Sequence, residues 1–203
     1  MHLTHMIIDD FLPDPHGMRE QALSMQFPAR PEGAYYPGRN AGARLPLQGI
    51  ERLISDITHE PLAPAQHYSH AVPRIALGGD DGKVSVHADF CHWSMILYLT
   101  LDEHCQDGTH FFRHRKTGWE RAPVFPGEAE RAGFASPDEA MKSVLAQSGD
   151  RTGWDEIMMI PMKFNRAVLF RGYMWHDAGK SFGTTPENGR LIVPLFFENT
   201  QTG

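Results

Sequence analysis

Four residues of this sequence have types and spacings that suit metal and acid chemistry: His87, Asp89, His176 and Arg190. His87 and Asp89 stand two apart, so on an extended segment their side chains point to the same side. One imidazole and one carboxylate can then meet at a single ion. His176 is the best third donor. It follows the apolar run Ala167-Val168-Leu169-Phe170 after a short loop containing Gly172, at the mouth of a buried strand. Two histidines and one carboxylate can hold iron(II) by one face and leave its other positions open to substrate or dioxygen. Arg190 heads a second apolar run, Leu191-Ile192-Val193-Pro194-Leu195-Phe196-Phe197. Its planar fork matches a carboxylate in two parallel bonds, so it can anchor a dicarboxylate.

A His-x-Asp pair by itself says little. With 12 His among 203 residues, about one such pair is expected by chance. Taken singly, His176 is more simply a histidine satisfied by local hydrogen bonds, and Arg190 a solvated strand-end charge. The weight therefore falls on the elements that would bring the four together.

Those elements read as helices first and strands afterwards. Residues 7–12 form a short strand that runs into the Pro13-Asp14-Pro15 turn. Residues 15–25 carry helical spacing, with Met18, Ala22, Leu23 and Met25 on an apolar face. A second helix covers 48–57, with Ile50, Leu53, Ile54 and Ile57 on one side, and Pro61 and Pro64 end it. From about residue 74 short strands follow: 84–89, 94–101 and 109–113. An irregular region, 116–153, holds one helix, which starts at the Ser136-Pro137-Asp138-Glu139 cap. Strands resume at 156–164, with a hairpin turn at Asn165-Arg166 into 167–171. A last strand covers 190–198. The layout is α+β and mainly β: an antiparallel sandwich or open barrel with the N-terminal helices packed on one sheet. One domain spans 1–203, with 1–73 as helical support and 74–203 as the β core carrying an insertion at about 115–155.

Strand alternation assigns faces. In 94–101, Met95, Leu97, Leu99 and Leu101 want a dry interface such as the N-terminal helices. Ser94, Ile96, Tyr98 and Thr100 suit the wall of a wet cavity. In 84–89, Val84, Val86 and Ala88 oppose Ser85, His87 and Asp89. The polar parities hold metal-ligand types and a phenol, where a solvated face would carry Lys and Glu. From 109 onward the sets are Thr109, Phe111 and Arg113 against His110, Phe112 and His114; either set can line the cavity. His92 and Trp93 follow Asp89 closely and are candidates for substrate contact, as are His110, Arg113 and Arg171. For Trp93 packing competes with contact, and for Arg171 an ordinary strand-end charge does. The 35–39 segment, Tyr-Tyr-Pro-Gly-Arg, is a lid or simply a loop.

Composition fits a soluble globular chain, with 41% apolar and 22% charged residues. A net charge of −6 lacks the basic stripe of a nucleic-acid binder. Two cysteines, Cys91 and Cys105, make no disulfide framework and suit a reducing cytosol. The first 11 residues have acids at Asp9 and Asp10 and no apolar core, unlike a signal peptide. The apolar run 95–101 is far too short to span a bilayer. The expected location is cytoplasmic, with no membrane partner and no nucleic acid.

Together these strings resemble the iron(II)/2-oxoglutarate-dependent dioxygenases, most closely the prolyl-4-hydroxylase-like branch and its bacterial relatives. The matching pieces are Val86-His87-Ala88-Asp89, Tyr98-Leu99, Asp107-Gly108-Thr109-His110-Phe111-Phe112, Asn165-Arg166-Ala167-Val168-Leu169-Phe170, His176 and Gly189-Arg190-Leu191. They span more than half the chain. The resemblance implies a double-stranded β-helix, of the jelly-roll or cupin type. It implies iron(II) at His87, Asp89 and His176, and 2-oxoglutarate with its distal carboxylate on Arg190. Tyr98 and Thr109 would be co-substrate contacts. The sequence departs from some subfamilies at Ile192, where they carry serine. The implied activity is hydroxylation of an amino acid, a peptidyl residue or a small metabolite with O2, releasing succinate and CO2. A homodimer is compatible with this. Two other readings stay open: a cupin-type metal enzyme that does not use 2-oxoglutarate, and a non-catalytic barrel that binds without turnover.

Overall fold

The structure is a computed structural model and describes residues 3–30, 33–82 and 85–201. In chain order its elements are β1 (His5–Ile8), α1 (Pro15–Leu23), β2 (Arg39–Asn40), α2 (Ile50–Thr58), β3 (Leu62–Pro64), β4 (Arg74–Ala76), β5 (Trp93–Tyr98), β6 (Gly108–His114), α3 (Glu128–Arg131), α4 (Pro137–Leu145), β7 (Trp154–Pro161), β8 (Ala167–Arg171), β9 (His176–Asp177) and β10 (Arg190–Asn199). The fold is mainly β, and every strand pairing is antiparallel. A large sheet runs β1-β8-β5-β10-β4-β2, with β3 also paired to β10; a small sheet runs β7-β6-β9.

Strand parity divides the interior into three cores. Met95, Leu97 and Leu99 turn to one face of the large sheet and pack with Ala22, Ile50 and Ile54 of the two N-terminal helices. Helix α1 starts where Asp14 accepts from the Gly17 amide and Pro15 takes the first turn. Arg19 fixes it to the sheet by donating to the carbonyls of Leu99 (2.7 Å) and Glu187 (2.6 Å). The opposite face of the sheet presents Tyr98, Val168, Phe170 and Ile192, which meet Phe111 and Ile160 of the small sheet. The outer side of the small sheet packs Phe112, Trp154 and Trp175 against Val144 of α4. The α4 cap is as expected, with Ser136 accepting from the Glu139 amide.

Several local expectations change. Residues 85–89 form no strand. His87 makes a single bridge to His176, and Val84, the first residue of that expected strand, lies outside the described residues. Leu53 is 44% exposed, so the buried stripe of α2 is Ile50 and Ile54, with Ile57 partly covered. That helix ends before its prolines, at His59 in the left-handed region (φ 57°). Pro64 sits in β3, which among the described residues pairs with β10 alone, so a missing N–H is tolerated there. Asn165 does turn the chain (φ 60°), but not into a hairpin. Strand β7 pairs with β6, whereas β8 pairs with β1 and β5, so the turn carries the chain from one sheet to the other. The first 73 residues also contribute β1, β2 and β3 to the large sheet, and the insertion holds α3 besides α4. Among the described residues no helix is long and apolar enough to cross a membrane.

Candidate metal centre and its cavity

His87 and His176 are joined through their backbones. The His87 amide donates to the His176 carbonyl (2.9 Å) and the His176 amide to the His87 carbonyl (2.8 Å). The bridge sets the two rings 4.3 Å apart. Each ring turns Nδ1 to a carbonyl two residues upstream: His87 to Ser85 and His176 to Met174, both at 2.9 Å. A carbonyl only accepts, so each Nδ1 donates a proton to it, and Nε2 is the nitrogen that faces the other two residues. Asp89 comes to the same point. Its Oδ1 lies 3.9 Å from His87 Nε2 and its Oδ2 3.5 Å from His176 Nε2. One ligand atom from each of the three residues falls within 4.8 Å of the others.

The surroundings hold these donors in a ligating state. Ser94, next to β8 in the large sheet, donates its hydroxyl to Asp89 Oδ2 at 2.6 Å. The Asp89 amide donates to the Gly172 carbonyl at 2.7 Å. Gly172 has no room for a side chain: a Cβ there would sit 2.5 Å from the Cys91 carbonyl oxygen and 3.0 Å from that of Asp89. Phe170 packs edge-on to the His176 ring at 4.6 Å. Burial, then the neighbouring His87, lower the His176 pKa to about 4. The imidazole is therefore neutral near pH 7, as a metal ligand must be.

A cavity of about 290 Å³ opens on these residues. Thr109 and Arg190 line it together with the three ligands, and Ile96 and Ile192 add an apolar wall. Arg190 is 3% exposed, and its Nε is buried without a hydrogen-bond partner. Burial holds its guanidinium below the usual range, partly offset by Tyr98 beside it. The Tyr98 hydroxyl is 2.6 Å from Thr109 Oγ1. The parity left open on β6 is thereby assigned. Thr109 and Phe111 face inward and His110 faces away.

The other candidates lie elsewhere. His110 is held by Asp107 (2.5 Å) and Glu156 (3.0 Å), so its ring is committed outside the cavity. Arg113 pairs with Glu120 at a solvated strand end. Arg171, His92 and Trp93 converge on Glu60. Arg171 binds both Glu60 oxygens (2.6 and 3.0 Å), Trp93 Nε1 donates to one (2.7 Å), and His92 Nε2 lies 2.7 Å from it. The Arg171 guanidinium also covers the Trp93 ring at 3.9 Å. Its charge is neutralised inside the protein, so it is not a free anion holder. Sequence reasoning passed over Arg74 and Tyr68. Ser94 belongs to the parity assigned to the cavity, and Tyr36 to the 35–39 segment read as a lid or a loop, of which Tyr36 and Pro37 line the cavity.

A model of a family of unknown function, DUF6445, matches residues 2–197. The chain belongs to the DUF6445 family. No curated protein matches it by sequence. The protein is similar to solved structures that include HygX and the non-haem enzymes SnoN and SnoK. HygX from Streptomyces hygroscopicus, solved with nickel and 2-oxoglutarate bound, aligns at TM-score 0.56 and 12% identity, covering 97% of this chain and 83% of that one. The alpha-ketoglutarate-dependent epimerase SnoN of nogalamycin biosynthesis gives 0.55 and 14%, covering 97% and 78%. The carbocyclase SnoK of the same biosynthesis gives 0.53 and 11%, covering 97% and 79%. At these identities the likeness shows that the DUF6445 chain shares their fold.

Proposed function

We propose that this DUF6445 protein is an iron(II)- and 2-oxoglutarate-dependent oxygenase built on a double-stranded β-helix, acting in the cytoplasm on a small-molecule or peptidyl substrate. One observation carries the reading. The three ligand atoms and an almost fully buried arginine with an unpartnered Nε open onto the same cavity. A buried guanidinium left without an anion is unfavourable unless a ligand supplies one. The fold shared with HygX and SnoN supports the same assignment, as does the ordered set of strings resembling the prolyl-4-hydroxylase-like branch.

The donor set fits the group. Two neutral imidazoles and one carboxylate are the ligands that iron(II) oxygenases use, with positions left open. When bound, iron(II) would activate O2, the oxidant, and 2-oxoglutarate would supply two of the four electrons O2 takes, leaving as succinate and CO2 while the substrate is hydroxylated. The protein's own residues do the positioning. His87 and His176 would offer Nε2, and their Nδ1–H bonds to Ser85 and Met174 fix tautomer and ring orientation. Asp89 would supply the negative ligand, oriented by Ser94. Arg190 would take the far carboxylate of the co-substrate, with Tyr98 and Thr109 beside it. Ile96 and Ile192 would keep that end dry, where each charged hydrogen bond counts for more than in water.

The test is titration of 2-oxoglutarate into iron-loaded protein under argon, followed by succinate release in air. Wild type should bind and slowly decarboxylate the co-substrate, and Arg190→Gln should lose affinity by about a hundred-fold. A protein that binds iron but takes no 2-oxoglutarate, with or without candidate substrates, would be a cupin-type enzyme or a binding barrel instead.

A further inference from the structure

The cavity contains a second arginine that the co-substrate reading does not use. Arg74 lies on β4 directly opposite Ile192 of β10, and Arg190 lies opposite Ala76. Ile192 and Arg190 share a face of β10, so the two arginines are diagonal neighbours on the inward face of the large sheet, roughly 7–8 Å apart at the backbone. Arg74 lines the same cavity as the three metal-ligand residues, among Tyr36, Tyr68 and Phe196.

Its charge is not matched within the protein. Nε donates to the neutral amide oxygen of Asn40 at 2.7 Å, and the guanidinium stands 5.3 Å from the centre of the Tyr36 ring. The acids near the cavity are committed: Asp89 to the two histidines, Asp177 to Arg151 and Asp107 to His110. Among the described residues none forms an ion pair with Arg74. Burial, and then repulsion from Arg190, hold its guanidinium below the usual range, while Tyr36 and Asp89 offset this in part.

Charge balance then says what is missing. A metal dication, the Asp89 carboxylate, the Arg190 cation and a dianionic 2-oxoglutarate sum to zero. Arg74 is the charge left over. It stands on the part of the wall made by Tyr36, Tyr68 and Phe196, whose rings offer flat apolar surface beside a cation. We infer that the primary substrate is a carboxylic acid, held through its carboxylate by Arg74, with its carbon skeleton against Tyr36, Tyr68 and Phe196. This rests on the proposed function, because it assumes that Arg190 is occupied by the co-substrate. Arg74 is a specificity-determining residue in this account. It selects acids over their neutral analogues, since a half-buried cation left without a counter-charge disfavours the amide.

The experiment uses iron-loaded protein under argon, saturated with 2-oxoglutarate. Binding is measured by calorimetry for benzoate, phenylacetate, 3-phenylpropionate and hexanoate, each against its carboxamide. At least one acid should bind about ten-fold or more tightly than its amide. Arg74→Gln should remove that preference by weakening the acid, and Arg74→Lys should keep part of it. Both variants should melt as cooperatively as wild type and take 2-oxoglutarate with unchanged affinity. Equal binding of every acid and its amide to wild type overturns the inference. So does an acid preference that survives Arg74→Gln, or a loss of 2-oxoglutarate affinity in that variant, which would make Arg74 a co-substrate residue. If wild type takes no 2-oxoglutarate, the proposed function falls. The acid-to-amide ratio is then read in Arg190→Gln, where Arg74 is the guanidinium left facing the cavity, and its presence or absence decides the inference separately.

Discussion

His87 and His176 exchange both backbone hydrogen bonds with each other, 89 residues apart in sequence. The candidate metal centre is therefore built on a two-residue bridge between a loop and the short strand β9, and Asp89 is the member that the bridge does not hold. Its position depends on two contacts outside the bridge: the Ser94 hydroxyl and the Gly172 carbonyl.

Ser94→Ala should therefore weaken the metal without unfolding the protein. The hydroxyl donates to a carboxylate oxygen at 2.6 Å, the short distance of a charge-assisted bond. Removing such an outer partner usually lowers metal affinity about 10–100-fold. Competition of bound iron(II) against a chelator measures this. Wild-type affinity in Ser94→Ala would show that Asp89 is oriented by something else.

Gly172→Ala should strike the same carboxylate from the other side. The added methyl meets the backbone oxygens of Cys91 and Asp89 and the Cys91 sulfur at 2.8 Å. Rigid carbonyls cannot step aside as a flexible side chain can, so the 89–91 segment must move. Metal affinity should fall at least as far as in Ser94→Ala, with a stability loss of about 1–3 kcal/mol from overpacking. Thermal melting of the metal-free and metal-loaded forms separates the two effects. A metal-induced gain in melting temperature equal to that of wild type would sink this prediction.

Much of this site was legible because parity survives tertiary context. The sets Met95, Leu97, Leu99 and Ser94, Ile96, Tyr98 went to the helix side and the cavity side as their chemistry demanded. His87 and Asp89 kept a common orientation although their segment forms only one bridge, because Val86 and Ala88 are buried on the opposite side. What could not be read was partnership. Arg171 looked free until Glu60, 111 residues earlier, arrived beside it. Asn165 announced a turn correctly, but nothing local says that the strands on either side join different sheets. Arg74 carried no signal, because its place in the cavity follows from β4 pairing with β10.

Glu60→Gln should reveal the cluster around Arg171 as structural. Burial alone would raise the Glu60 carboxyl, but hydrogen bonds from Arg171, Trp93 and His92 bring it down to about 2 from an ordinary value near 4.5. A depressed carboxylate stabilises the fold above its unfolded pKa and loses that contribution as pH falls through the folded one. The wild-type advantage over Glu60→Gln should thus be full above about pH 5 and shrink toward pH 2. At neutral pH we expect about 2 kcal/mol or more, because Arg171 is left nearly buried without its counter-charge. Denaturant melts at pH 7 and pH 3 check it, and 2-oxoglutarate affinity should not change. An equal stability gap at both pH values would mean that the carboxylate is not the stabilising species.

Tyr98→Phe bears on the co-substrate end of the cavity. The Tyr98 hydroxyl is fully buried, 2.6 Å from Thr109 Oγ1 and against the Arg190 guanidinium. Removing it leaves Thr109 short of a partner and lets Arg190 lean out of line with an incoming carboxylate. A lost buried hydrogen bond costs about 1–2 kcal/mol. That corresponds to roughly 5–30-fold weaker 2-oxoglutarate binding if the cost is felt in the complex, and to a lower melting temperature if it is felt in the free protein. Thr109→Val removes the same hydrogen bond from the other side while leaving the phenol beside Arg190. Its affinity loss should be smaller, and the metal stoichiometry should stay unchanged in both variants. If Tyr98→Phe and Thr109→Val both bind 2-oxoglutarate as wild type does, the Tyr98–Thr109 pair only packs the interior, and Arg190 holds the carboxylate without help from either.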